Sequence, residues 1–188
     1  MSWIDYKTYR HPELLEQLRD VGLAEYDPAL DLYAVAESIK QKYSQLPWPP
    51  QVDWHCHSLI MGGEVNQDYE PYWPKSTRFA ATMPGLKSLN VNYVAGNSII
   101  PDHRDNTIIL KQQESWRENL GIVTIIGIDM PSDDVERVGF HVNSVKKSWP
   151  TGGIVSMDGS QVHGGWNRTD KMRVTFYLAI DKEYYGIV

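Results

Sequence analysis

The period of the apolar positions changes along the chain. In residues 12–26, Leu14, Leu15, Leu18 and Val21 recur three and four apart, the stripe of an amphipathic helix. Pro12 suits the first helical position, where its missing N–H would have no intrahelical partner. Asp27-Pro28 reads as the opening of a second helix to about Leu46, with Leu32, Val35, Ala36, Ile39 and Tyr43 along one side. Pro47-Trp-Pro-Pro50 then breaks it, because proline lacks the donor and crowds the preceding turn. Residues 51–88, punctuated by Gly62-Gly63, Pro71, Pro74 and Pro84-Gly85, read as irregular and loop-rich. Such a segment in a compact domain often serves as a lid or substrate wall, and Tyr69, Tyr72 and Trp73 could shape one.

From Leu89 onward the period is two. Leu89, Val91 and Tyr93 alternate with Asn90, Asn92 and Val94, as in a strand with one packed face. Gly96 allows a bend before Ile99-Ile-Pro101. Residues 107–120 fit neither period. The apolar run from Ile122 to Ile128 predicts a buried strand, and further strands follow at residues 138–143 and 154–158. In the last strand, residues 173–180, Val174, Phe176, Leu178 and Ile180 share one face. Arg173, Thr175 and Tyr177 share the other, which should look into a polar cavity. Helices gathered at the front of many short strands predict a mostly β protein, a two-sheet barrel or jelly roll with the N-terminal helices packed on one sheet. The 188 residues suit one domain: a helical scaffold over 1–50, the irregular segment over 51–88 and a β core over 89–181.

Composition narrows the function. A net charge of −6 argues against a nucleic-acid partner, which would require a basic stripe, and Lys146-Lys147 reads as a solvated turn. A single cysteine, Cys56, excludes an internal disulfide framework. The N-terminus has no apolar leader and no run reaches membrane-spanning length, so a cytoplasmic protein without a membrane partner is expected. Seven Trp and eleven Tyr against three Phe favour amphipathic rings, which line pockets as well as cores.

The candidate chemistry lies in order and spacing. His103-x-Asp105 follows an extended segment, His163 comes sixty residues later, and Arg173 opens the last strand. Two histidines and one carboxylate can occupy one face of an octahedral Fe(II) ion and leave other positions open. A His-x-acid tripeptide alone says little, since His11-Pro-Glu13 shows the same pattern at a helix start. His55-Cys-His57 would point both rings to one face of a strand with no third ligand nearby, so it reads as structural. His141 reads as an ordinary sheet histidine, and Asp133-Asp134 as a solvated turn.

Tyr93-x-x-Gly96-x-x-Ile99-x-x-x-His103-x-Asp105 resembles the approach to the first ligands in the Fe(II)/2-oxoglutarate-dependent oxygenases. Asn143, Trp149, Gly153, Asp158-Gly-Ser160, His163-Gly-Gly-Trp166-Asn167 and Arg173 together resemble the aspartyl/asparaginyl β-hydroxylase-like branch, and the likeness covers residues 89–181. The resemblance implies a double-stranded β-helix in which His103, Asp105 and His163 ligate Fe(II). It implies that Arg173 pairs with the distal carboxylate of 2-oxoglutarate, that Thr175 adds a hydroxyl, and that Tyr93 reaches the co-substrate. The implied reaction uses O2 to hydroxylate a small molecule, amino acid or peptide side chain, releasing succinate and CO2. Retention of Asp105 favours hydroxylation over halogenation. The chain departs from the branch where an Arg-x-His would help hold the co-substrate, since the strand after the first ligands offers only Thr124. Residues 106–120 also form a longer segment than the branch has. The alternatives are a cupin-like barrel that binds metal or ligand without oxidation, and an interaction protein using its Tyr- and Trp-rich segment.

Overall fold

The computed structural model describes residues 3–42, 54–105 and 122–187. In chain order the strands are β1 (Trp3–Ile4), β2 (Trp54–Met61), β3 (Glu64–Val65), β4 (Leu86–Val94), β5 (Ser98–His103) and β6 (Ile122–Asp129). They continue with β7 (Val138–Val142), β8 (Val145–Lys147), β9 (Ile154–Asp158), β10 (His163–Asn167) and β11 (Arg173–Ile180). The helices are α1 (Pro12–Glu25), α2 (Leu32–Lys42), α3 (Pro74–Ala81) and the short α4 (Lys182–Tyr185). The strands pair antiparallel into a larger sheet, ordered β1-β9-β6-β11-β4-β2-β3, and a smaller one, ordered β5-β10-β7-β8.

Two apolar clusters divide the larger sheet by face. On its outer face, Leu89, Val91, Ile126, Val174, Phe176 and Leu178 pack against Leu15 and Leu18 of α1 and Leu32, Val35 and Ile39 of α2. Its inner face, with Val94, Val123, Ile125 and Val155, packs against Ile100, Phe140 and Val142 of the smaller sheet. The helices therefore cover one sheet, and the second sheet closes the other face. Gly22 lets α1 approach closely, because a Cβ there would stand 2.4 Å from the Phe176 ring.

The structure corrects two sequence expectations. Helix α2 begins at Leu32, where the Asp31 carboxylate accepts the Ala34 N–H at 2.9 Å. Asp27-Pro28 instead forms a turn in which Asp27 accepts the N–H of Ala29 and of Leu30. Both aspartates carry the helix-start signal, and the apolar stripe that meets the sheet decides for the second. The expected irregular segment over 51–88 is overturned by β2, which pairs with β4 along its length, and by α3. Gly62-Gly63 makes the tight β2–β3 turn, with φ of 60° and 82°, and Pro74 starts a helix. The expected helix end at Leu46 with Tyr43, the break at residues 47–50, and residues 106–120 lie outside the described residues. Among the described residues no helix is long and apolar enough to cross a membrane.

Candidate metal and anion site

The antiparallel pairing of β5 and β10 sets His163 opposite His103. Each ring donates its Nδ1–H to a carbonyl two residues earlier: His103 to Pro101 at 2.7 Å, His163 to Gln161 at 2.9 Å. Those bonds fix the tautomer and leave both Nε2 lone pairs free. Asp105 follows β5, tied down by its N–H to the Gly159 carbonyl at 3.1 Å. Its Oδ1 lies 3.4 Å from Nε2 of His163 and 3.8 Å from Nε2 of His103. The three ligand atoms all lie within 4.8 Å of one another.

The fit to a metal is visible in one atom. His163 is fully buried, and its Nε2 has no hydrogen-bond partner among the described residues. Leaving such an acceptor unsatisfied costs about 1–3 kcal/mol, which a bound cation would recover. Two imidazole nitrogens and one carboxylate oxygen are the donors of a facial triad. Burial, opposed by the Pro101 carbonyl, lowers the His103 pKa and so favours the neutral, ligating imidazole. Trp54 stacks on His103 at 6.2 Å between centroids, and Phe140 on His163 at 5.6 Å.

Arg173 opens β11 on the face that looks between the sheets. Its exposure is 3%, its Nε has no partner among the described residues, and its bond from Nη1 to the Gly139 carbonyl is a long one, 3.4 Å. Among the described residues no carboxylate pairs with it. Burial pulls its pKa down to about 10. A guanidinium offers five donors, and a buried cation without a counter-charge is a seat for an anion.

The chain around Arg173 is held from behind. Asn167, fully buried, donates its amide to the carbonyls of Val94, Ala95 and Lys171, while its oxygen accepts from Thr169. This locks the turn before β11 to the end of β4. Gly96 belongs to the same contact, since a Cβ there would meet the Thr169 carbonyl at 2.7 Å. Thr175 is buried on the face of Arg173, opposite Asn92 on one side and Gly127 on the other. Tyr177, next on that face, donates its hydroxyl to Asp105 Oδ2 at 2.8 Å.

Tyr93 does not reach this cavity, and the expectation of a co-substrate contact is corrected. It pairs with Val174 and His55, and its ring lies under the helices against Tyr33, His55 and His57. Directly paired residues share a face, so Asn92 takes the place beside Thr175. His57 is structural, donating to the Leu32 carbonyl at 3.0 Å. Thr124 also faces the helices, opposite Leu178, with its hydroxyl on Ser156. His141 lies on the far face of the smaller sheet and meets Asp102 at 2.8 Å. Alternation in the sequence puts Tyr177 on the correct face without giving it a role, and it gives Trp54 and Asn92 none. For Trp54 the signal is the alternation of Trp54, Cys56 and Ser58 along β2, hidden by the histidines between them.

Residues 24–183 match the family model for aspartyl/asparaginyl beta-hydroxylase. The chain belongs to this family. A search of curated protein sequences finds no match. Among solved structures, this family member is similar to an oxidoreductase of the 2OG-Fe(II) oxygenase family from Burkholderia pseudomallei. The two are 14% identical over 90% of this chain and 89% of the other, with a TM-score of 0.48. It is also similar to the Schizosaccharomyces pombe Cnp3 cupin domain, at 11% identity over 73% and 74%, TM-score 0.42. A third likeness is to salicylate 1,2-dioxygenase from Pseudoaminobacter salicylatoxidans, at 9% identity over 82% of this chain and 32% of the other, TM-score 0.43. The two facing antiparallel sheets of this beta-hydroxylase relative form a cupin-like double-stranded β-helix.

Proposed function

We propose that this protein is an Fe(II)- and 2-oxoglutarate-dependent dioxygenase that hydroxylates a small molecule, amino acid or peptide side chain. Family membership supports an oxygenase. The observation that carries the co-substrate is Arg173, a buried guanidinium without a carboxylate partner among the described residues, on the inner-facing side of β11 with the residue that touches the metal ligand set. A dicarboxylate that chelates a metal at one end needs such a cation for the other.

In this reading His103, Asp105 and His163 hold Fe(II). The bound ion and 2-oxoglutarate supply oxidative chemistry with dioxygen, giving hydroxylated substrate, succinate and CO2. The chain's own residues bind and orient. The Pro101 and Gln161 carbonyls keep both imidazoles in the ligating tautomer. Arg173 pairs with the distal carboxylate, with the Thr175 hydroxyl and the Asn92 amide as neutral partners on the same face. Trp54 and Phe140, stacked on the two histidines, shield them from water.

The test is an anaerobic titration with Fe(II) and then 2-oxoglutarate, followed in the visible, with His163→Ala as control. A charge-transfer band that requires both additions and is absent from the variant is expected, followed by succinate release in a substrate screen. Folded protein that gives no band refutes the assignment.

A further inference from the structure

We propose that Tyr177 is a positioning residue for the metal site: its hydroxyl holds Oδ2 of Asp105, so that the carboxylate offers Oδ1 alone to the metal. The inference rests on the metal-site reading above. Asp105 has two chemically equivalent oxygens, and the structure makes them unequal. Oδ1 faces both histidine Nε2 atoms, at 3.4 and 3.8 Å, and Oδ2 accepts the Tyr177 hydroxyl at 2.8 Å. No other side-chain hydrogen bond to Asp105 occurs among the described residues.

The bond also crosses the barrel. Tyr177 stands on β11 of the larger sheet, and Asp105 follows β5 of the smaller one, 72 residues away in sequence. The far end of Asp105 is fixed by its N–H to Gly159, and the neighbouring Arg104 guanidinium bonds the Ser160 carbonyl at 3.0 Å. The carboxylate is thus gripped at backbone and at Oδ2, and its rotation is removed.

The consequence is coordination number. A carboxylate free to rotate can bind a metal through both oxygens. That would fill one of the positions a chelating 2-oxo acid and dioxygen require, whereas a one-oxygen ligand leaves the facial triad open on its far side. One strand face therefore carries the anion holder Arg173, the hydroxyl of Thr175 and the ligand orienter Tyr177 at two-residue spacing.

Tyr177→Phe keeps the ring and removes a single oxygen. Fe(II) affinity, measured anaerobically by competition, and the visible spectrum of the Co(II) protein are compared for wild type, Tyr177→Phe, Asp105→Ala and the double variant. Tyr177→Phe is expected to weaken Fe(II) binding roughly 10- to 100-fold and to change the Co(II) spectrum. In the Asp105→Ala background the same change should have no further effect, because the phenol acts only through that carboxylate. Equal losses in both backgrounds, or none in either, overturn the positioning role. The wild type alone supplies a second reading: its carboxylate stretching bands on metal addition should be those of a one-oxygen ligand, and two-oxygen bands overturn the proposal. A folded wild type that binds no metal overturns the oxygenase reading itself. Normal wild-type binding with an unaffected Tyr177→Phe overturns Tyr177 only.

Discussion

Arg173→Met should stabilise the ligand-free protein and abolish its response to 2-oxoglutarate. In the folded state burial lowers the guanidinium from 12.5 to about 10, and at pH 7 it is charged both folded and unfolded. At about 1.4 kcal/mol per tenfold, keeping that charge inside costs on the order of 3 kcal/mol. Methionine has similar length and no charge, so the variant should gain up to roughly that amount. For a chain of this size the gain corresponds to roughly 6–12 °C in melting temperature. Ligand binding moves the other way. Saturating the wild type at a hundred times Kd adds about 2.7 kcal/mol. Losing one partner of a buried charge pair costs about 2–5 kcal/mol, or roughly 30- to several-thousand-fold in affinity. The assay is thermal unfolding by circular dichroism, anaerobic, with Fe(II) present and with or without 2-oxoglutarate. A variant that melts below wild type without ligand, yet keeps the full shift with it, would refute the reasoning. The buried guanidinium would then serve the fold.

Three further outcomes follow from the packing. Burial lowers His57 to about 4 against 6.5 unfolded, so the folded state rejects a proton that the unfolded chain accepts. Its contribution is full above 6.5 and lost as pH falls toward 4, roughly 3 kcal/mol in all. Denaturant titrations of wild type and His57→Phe at pH 7 and 4.5 should show the smaller acid loss in the variant, and equal losses would exclude His57 as the cause. Gly22→Ala, which in an exposed helix interior gains about 1 kcal/mol, should here cost about 1–3 kcal/mol, because its Cβ meets the fully buried Phe176 ring. Urea midpoints decide the sign. Asn167→Asp puts a carboxylate oxygen against the carbonyls of Val94, Ala95 and Lys171. It should cost at least about 1–3 kcal/mol and weaken 2-oxoglutarate binding by releasing the turn before Arg173; a folded variant with wild-type affinity would show that the turn does not position Arg173.

The sequence and the fold meet most closely in β11. Its alternation alone puts Arg173, Thr175 and Tyr177 on one face, and the strand runs over the residues expected. The same logic leaves β4 undecided. Leu89, Val91 and Tyr93 are one packed face, but both faces of the larger sheet are buried, one under helices and one against the smaller sheet. Periodicity separates the faces without saying what covers each, so it could not correct the resemblance, which put Tyr93 on the face where Asn92 stands. In β2 the glycines and prolines on either side conceal a strand, because a hairpin turn and a helix start use the same residue types as a loop.

By itself the sequence determined the local terms: the periods of helix and strand, the His103-x-Asp105 pair at a strand end, and the two-residue spacing that puts an anion holder beside a hydroxyl. Those follow from backbone geometry within a few residues of each position. The tertiary structure alone decided which atoms became chemistry. His163 is opposite His103 because two strands pair sixty residues apart, Arg173 has no counter-charge among the described residues because of what surrounds it, and Asp105 Oδ2 is held by a hydroxyl from the other sheet. Orphaned lone pairs and unpaired charges depend on the whole enclosure, because any one distant neighbour can satisfy them.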